Sequence, residues 1–410
     1  MLNKDGQREL AYIVAIDEIK PIPNYDRVEH ARVGGWWVIV KKDQFKVGDL
    51  AIYIEVDSKV PEKEPFLFLE SKKYRVKTQK MCKVLSQGLL MHPEDFGWKP
   101  ALEATGEKII DWGHKANDPL PYLNEGDFVT EELGITYYEP EDNKRKANSV
   151  DKYKKMAQRR PDIFKKPWAK WMMRREWGKR VMFLFFGKQK DKKGAWPSWI
   201  KKTDEERCQN MPWLFPGGDE RFTVTEKIDG TSTTFAIKGH GRKQEFYVCS
   251  RNVVQDTPER ENYYDGNVYW EMAEKYNIKE ALASFMAPNI EYIILQGETY
   301  GEGIQKRNYS IISGHNFAAF NLIVKKENCE PIRFDWCDMK DLLTDEFNIP
   351  VVPLVDDNFK IPETCDKLLK IAEGKSAIDG GMREGIVIRS KDGQRSFKAV
   401  SNPFLLKYHS

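Results

Sequence analysis

The sequence predicts two folded units of different class: an all-β N-terminal module and, after a basic connector, an α+β domain built on antiparallel sheets. Three observations carry this. Short Val-, Ile- and Tyr-rich runs separated by turn signals fill the first ~135 residues. A block of lysines and arginines then interrupts the pattern. From about residue 222 onward, strand-like and helix-like runs mix. At 410 residues the chain is long enough for two or three domains.

The N-terminal strand candidates are 10–19 (LAYIVAIDEI), 31–41 (ARVGGWWVIVK), 50–56 (LAIYIEV) and 81–91 (MCKVLSQGLLM), with turns at 21–24 (PIPN) and 47–49 (VGD). Several short strands punctuated in this way predict a small closed barrel, and a five-stranded OB-like one is the natural candidate. Trp36 and Trp37 are read as core packing and edge cover in preference to a base-stacking platform. The boundaries are placed at 1–136 for the barrel, 137–195 for the connector and 196–410 for the second domain.

The net charge of +3 conceals an asymmetry. Between Lys144 and Lys202 there are 21 basic and 4 acidic residues, so that stretch carries +17 and the remainder −14. Trp168, Trp171, Trp177, Phe183, Phe185 and Phe186 interleave with the cations. Three readings stand: a solvated connector whose aromatics dock on a neighbour, a nucleic-acid strap with cations on phosphates and rings on bases, and an interfacial helix on an anionic membrane. Six cysteines without a CxxC pair argue against a zinc ribbon, a thioredoxin-like site or a disulfide framework. There is no HExxH, no apolar leader at the start, and no run near the ~20 residues of a membrane span. A cytoplasmic or nuclear protein without membrane insertion is expected.

In the second domain, strands are expected at 222–228, 233–237, 246–249, 292–296, 317–324, 385–389 and 396–400. Helices are expected at 267–276, 336–343 and 365–373. The chemistry centres on 225–232 (TEKIDGTS). In an extended chain, residues two apart project to one face, so Lys227 and Asp229 point together into a pocket, and Gly230 lets the chain turn. A lysine nucleophile must shed its proton, and burial or nearby positive charge helps it do so. A carboxylate two residues away can instead help hold a metal. KxDG alone carries little information; its value depends on the residues C-terminal to it. Arg251 ends a strand and offers a cation. Glu298 closes an apolar strand, where a carboxylate can bind a ribose hydroxyl. Phe317 and Phe320 could stack on a purine. Glu384 opens a β-run and offers hard oxygen to a metal. Lys398 suits an α-phosphate.

That order resembles the covalent nucleotidyltransferase superfamily of polynucleotide ligases and mRNA capping enzymes, whose catalytic domain is α+β with ATP-grasp-like antiparallel sheets. Within it, DNA ligases and capping enzymes usually carry an OB domain after the last lysine motif, whereas only 12 residues follow Lys398 here and the β-rich module comes first. The arrangement is similar to the fifth family of ATP-dependent RNA ligases. Further segments at 18–23 (EIKPIP), 35–42 (GWWVIVKK), 45–49 (FKVGD), 86–90 (SQGLL), 197–207 (PSWIKKTDEER) and 303–305 (GIQ) look like that family's signatures. The basic segment is the least matched part.

The resemblance implies an ATP-dependent RNA ligase. Lys227 would attack the α-phosphate of ATP to form a lysyl–AMP, which passes to a 5′-phosphate RNA end before a 3′-hydroxyl completes the joint. It implies Asp229 and Glu384 at a catalytic Mg²⁺ or Mn²⁺, Glu298 on the ribose, Phe317 or Phe320 on adenine, and Arg251 and Lys398 on phosphates. Glu226, beside the nucleophile, is counted with the nucleotide contacts. Many ligases have a second lysine two residues from the last one. Here those positions are Ser396 and Val400, and Lys407 is expected to substitute. RNA with 3′-OH and 5′-phosphate ends and ATP are the expected partners of a monomer. The rivals are a DNA ligase or guanylyltransferase of the same superfamily, and a non-catalytic OB-containing nucleic-acid binder.

Overall fold

In the computed structural model the described residues are 8–102, 108–112, 122–138, 166, 169, 172, 196–259, 264, 266–307, 309 and 313–408. The basic connector, including Arg174, Arg175, Lys179 and Arg180, falls almost wholly outside them.

The N-terminal module is built from two three-stranded antiparallel sheets and smaller hairpins. One sheet orders Ala11–Ala15, Leu50–Ile54 and Leu89–Met91, with Leu50–Ile54 central. The other is the meander Glu18–Ile22, Tyr25–Val33 and Trp36–Lys41. The central Leu50–Ile54 strand is apolar at every position because both its faces are covered. Ile52 and Ile54 pack with Leu10, Ile13 and Phe66, while Ala51 and Tyr53 pack with Trp36, Val38 and Val40.

Two expected strands are resolved differently. The 31–41 run is a hairpin rather than one strand: Val33 pairs with Trp36 across a turn in which Gly34 takes φ +55°, a value glycine adopts without a Cβ clash. The 81–91 run is broken by Cys82 and Lys83, both at positive φ, and by Gly88. Trp36 is buried in the core, and its indole N–H donates to Asn210 Oδ1 at 2.9 Å. Trp37 is half-buried, with the Lys20 ammonium 4.7 Å from its ring centre.

The second domain has two five-stranded sheets. The first runs Glu206–Arg207, Ser396–Val400, Gly385–Ser390, Phe222–Lys227 and Leu354–Phe359. It is antiparallel except where Glu206–Arg207 joins Ser396–Val400 in parallel, so the purely antiparallel expectation is corrected at that edge. The second sheet runs Glu245–Cys249, Thr231–Lys238, Ile290–Gly301, His315–Lys326 and Ile332–Arg333, all antiparallel. Helices Val268–Lys275 and Ile278–Ser284 cover it, placing Met272, Ile278 and Leu282 against Phe235, Ile293 and Phe317. Helix Cys365–Ala372 covers the first sheet through Leu368, Leu369 and Ala372.

The helix expected at 336–343 is α-helical only over Trp336–Lys340 and continues as a wider π turn through Asp341–Glu346. Strand Leu354–Phe359 and helices Ile278–Ser284 and Asn402–Tyr408 were not expected. Among the described residues no helix is long and apolar enough to cross a membrane.

Candidate active site

The chain leaves the first sheet at Lys227 and enters the second at Thr231, so KxDG is the crossover between the two sheets. A cavity of about 310 Å³ lies at that crossover, and both sheets contribute to its wall. Pairing register brings distant residues here. Lys227 is opposite Gly385, so Glu384, one residue earlier, lies beside it. Ser232 is opposite Glu298, and Val387 is opposite Lys398. Gly230 is required by proximity rather than by a turn conformation: a Cβ there would lie 2.4 Å from the Thr299 carbonyl oxygen and 2.8 Å from Glu298 Cγ.

The Lys227 ammonium donates to Glu384, with 2.8 Å to each carboxylate oxygen. Asp229 is buried in the following loop, and its backbone N–H donates to the Tyr309 hydroxyl at 2.9 Å. Burial alone pulls the Lys227 pKa down, but the charges of Glu384, Glu298 and Asp229 outweigh it and hold the ammonium above its ordinary value. Burial pushes the Glu298 carboxyl up to about 8, aided by Glu384 and Asp229 and opposed by Lys227 and Arg251.

Two cations, Lys398 and Arg251, also line the cavity. Lys398 and Arg251 both face Asp204, each with a nitrogen 3.4 Å from its carboxylate. Burial lowers the Lys398 pKa; Asp204 opposes the shift, and Arg207, Lys227 and Arg251 add to it. Asp204 itself is drawn below the usual carboxylate range. Burial works against this, but Lys398, Arg251 and Arg8 prevail. It reaches the cavity because residues 196–204 cross the second sheet: Trp199 packs on Tyr247 and Tyr292, and the Lys201 carbonyl accepts from Gln296 Nε2 at 2.9 Å.

Three expected residues are placed differently. Phe317 is fully buried beneath the helices, against Phe235 and Tyr276, and does not reach the cavity. Phe320 does, with the Arg389 guanidinium 5.7 Å from its ring centre. The two rings are three residues apart on one strand, so they take opposite faces. Lys407 is exposed on helix Asn402–Tyr408, its ammonium over the Tyr408 ring, away from the cavity. Glu226 touches the wall, but its carboxylate is turned back to accept the Ala377 backbone N–H at 2.8 Å. Asp204 is the residue that sequence reasoning did not assign. Its signal was an acidic TDEE run directly before the cationic motifs, but nothing local says which of those carboxylates turns inward.

Among the described residues no three His, Cys, Asp or Glu side chains form a cluster able to hold a metal ion by themselves. The cavity does offer hard oxygen donors of the kind Mg²⁺ and Mn²⁺ prefer, from Asp229, Glu298 and Glu384. An ion here would complete its shell with phosphate oxygens and waters.

Comparison with known proteins agrees with this architecture. Residues 220–408 match the RNA ligase family, and residues 10–93 match an OB-fold domain. No curated protein matches the chain. Among solved structures, Naegleria gruberi RNA ligase, as a lysine-to-alanine mutant with ATP and Mn, is 26% identical with a TM-score of 0.65, over 98% of this chain and 99% of that one. A glutamate-to-alanine mutant of the same ligase with AMP and Mn is 27% identical with a TM-score of 0.64 at the same coverage. The fold and the matches define the class as an N-terminal OB-fold module followed by an α+β nucleotidyltransferase-type domain. Residues 220–408 carry the RNA ligase family's domain, and the two-part design is similar to that of the Naegleria ligase.

Proposed function

We propose that the protein joins the 3′-OH and 5′-phosphate ends of RNA, using ATP, through a covalent adenylate on Lys227. The observation that carries this is the crossover cavity, which holds a lysine paired with a carboxylate together with two further cations, Lys398 and Arg251. Support also comes from the mutants of the Naegleria enzyme. Their altered positions include a Lys and an Asp two apart and a Glu and a Lys fourteen apart, the spacings of Lys227 to Asp229 and Glu384 to Lys398.

In this reading Phe320 lies against the adenine and Glu298 meets the ribose. Lys398 and Arg251 hold phosphate oxygens where charge develops. Lys227 must first lose the proton that the carboxylates stabilise on it. Its Nζ then forms a bond to the α-phosphorus as the bond to pyrophosphate breaks. The RNA 5′-phosphate next displaces Lys227 to give an RNA–adenylate, and the 3′-hydroxyl displaces AMP. A divalent cation, Mg²⁺ or Mn²⁺, held by Asp229 and Glu384 would supply positive charge that favours both the neutral amine and the transition state.

All six cysteines are free, which supports a reducing compartment, cytoplasmic or nuclear.

The test is incubation with α-labelled ATP or GTP and a divalent metal, followed by denaturing electrophoresis. Label from ATP only, lost in Lys227→Ala while pre-adenylated RNA is still sealed, is the expected result. Label that persists in Lys227→Ala sinks the assignment.

A further inference from the structure

We propose that Asp204 is a resident counter-anion of the phosphate end of the cavity, displaced when nucleotide phosphates bind, and that through Arg8 it couples the OB-fold module to nucleotide occupancy. This rests on the nucleotide reading above and adds to it a residue and a linkage.

Cations gathered in a partly enclosed pocket repel one another and are costly to desolvate without an anion. Lys398 comes from the last strand of the first sheet, and Arg251 from the turn after Glu245–Cys249 in the second. Both converge on Asp204 at 3.4 Å. The third cation, Arg8, belongs to the N-terminal module and approaches Asp204 at 3.8 Å. Arg8 also sits 3.5 Å from the fully buried Glu55 of its own module, 4.0 Å from Glu206, and over the Tyr137 ring.

One carboxylate thus balances cations from three parts of the chain. An incoming polyphosphate brings the same kind of ligand, oxygen-rich and anionic, to the same cations. The two anions compete, because a carboxylate left beside a phosphate repels it. Once Asp204 is displaced, Arg8 keeps Glu55 and Glu206 but loses its partner shared with Lys398 and Arg251. The contact tying the module to the cavity is therefore present without nucleotide and broken with it.

The experiment measures calorimetric Kd values for α,β-methylene-ATP, which cannot transfer AMP, and for adenosine, which has no phosphate. The proteins are the full chain, Asp204→Asn, Arg8→Gln and the double variant. Asp204→Asn should bind the ATP analogue about tenfold more tightly, because a like charge beside the phosphates is gone. Adenosine affinity should change by less than about twofold, since adenosine presents no charge for Asp204 to repel.

Arg8→Gln leaves Asp204 more fully on Lys398 and Arg251. It should weaken the analogue about threefold in the otherwise native protein, and should have no effect in the Asp204→Asn background. Arg8→Gln thus tests the proposal even if Asp204→Asn folds poorly. Unchanged or weaker analogue binding in Asp204→Asn overturns the counter-anion role. An equal Arg8→Gln loss in both backgrounds overturns the linkage. A wild-type protein that binds neither adenosine nor the analogue overturns the nucleotide reading itself, and the proposal with it.

Discussion

Lys227 and Glu384, 157 residues apart in sequence, form a two-pronged ion pair of 2.8 Å in the wall of the crossover cavity. The pair follows from register, because Lys227 pairs with Gly385 on the neighbouring strand. It also sets the chemical problem of the resting site. The nucleophile is held protonated by the carboxylates meant to serve its reaction, so the ion pair has to open before attack.

Removing that partner should separate two effects. Without Glu384 the largest influence raising the Lys227 pKa is gone, so the pH profile for labelling Lys227 with an amine-acylating reagent should move to lower pH. Adenylylation should nevertheless slow by about 100-fold in Glu384→Ala, with ATP affinity changed far less, because stabilisation specific to the transition state is lost. Single-turnover rates and equilibrium binding measure the two. A wild-type rate at low metal concentration means that Glu384 has been given the wrong role.

Glu298 makes stability depend on pH. Its folded-state pKa is raised to about 8, so the folded protein holds a proton that the unfolded chain releases near pH 4.5. The stabilisation is complete below that value and is lost as pH rises toward 8. Glu298→Gln cannot ionise and should not show this loss. Thermal unfolding of the nucleotide-free proteins from pH 5 to 8.5 should give a wild-type Tm that falls relative to the variant. Parallel curves would mean that Glu298 is ionised throughout.

The two phenylalanines of one strand should behave differently. Phe317→Ala empties a fully buried site and should cost about 3–5 kcal/mol of stability. Phe320→Ala should cost less stability and weaken ATP binding about tenfold through lost ring contact. Denaturant midpoints and ATP titration make the comparison. If Phe317→Ala folds normally and loses ATP, the assignment is reversed.

This pair also shows where the sequence was legible. The order of Lys227, Arg251, Glu298, Glu384 and Lys398 could be read because the first four each end or open a strand-like run, Lys398 sits inside the last one, and the five in this order are specific together. Parity could have shown that Phe317 and Phe320 do not both face the site, since residues three apart on a strand face opposite ways, but which of them does is decided by the packing. The 31–41 hairpin was hidden because β-favouring residues flank Gly34 and Gly35 on both sides, leaving only those glycines to mark the turn. Asp204 was not legible at all. Its placement depends on Trp199 docking on the second sheet and on Arg8 arriving from another module, and neither contact leaves a local pattern.

The +17 segment poses the remaining question of substrate capture. With −14 on the rest of the chain, a polyanionic RNA meets net repulsion unless a local surface offsets it. The segment lies in sequence directly before the ligase domain. Each phosphate contact made by its cations should release condensed counterions, so RNA affinity should fall steeply with salt. Replacing Arg174, Arg175, Lys179 and Arg180 with glutamine should weaken RNA binding and flatten that slope by up to about three units in log K against log salt, at ~0.7–0.9 per contact. Labelling of Lys227 by ATP should be unchanged, since that step needs no RNA. The same aromatic and basic pattern also suits an anionic membrane surface, so sedimentation with anionic vesicles belongs beside the RNA titrations. An unchanged RNA salt slope together with lost vesicle binding would reject the strap and assign the segment to a membrane.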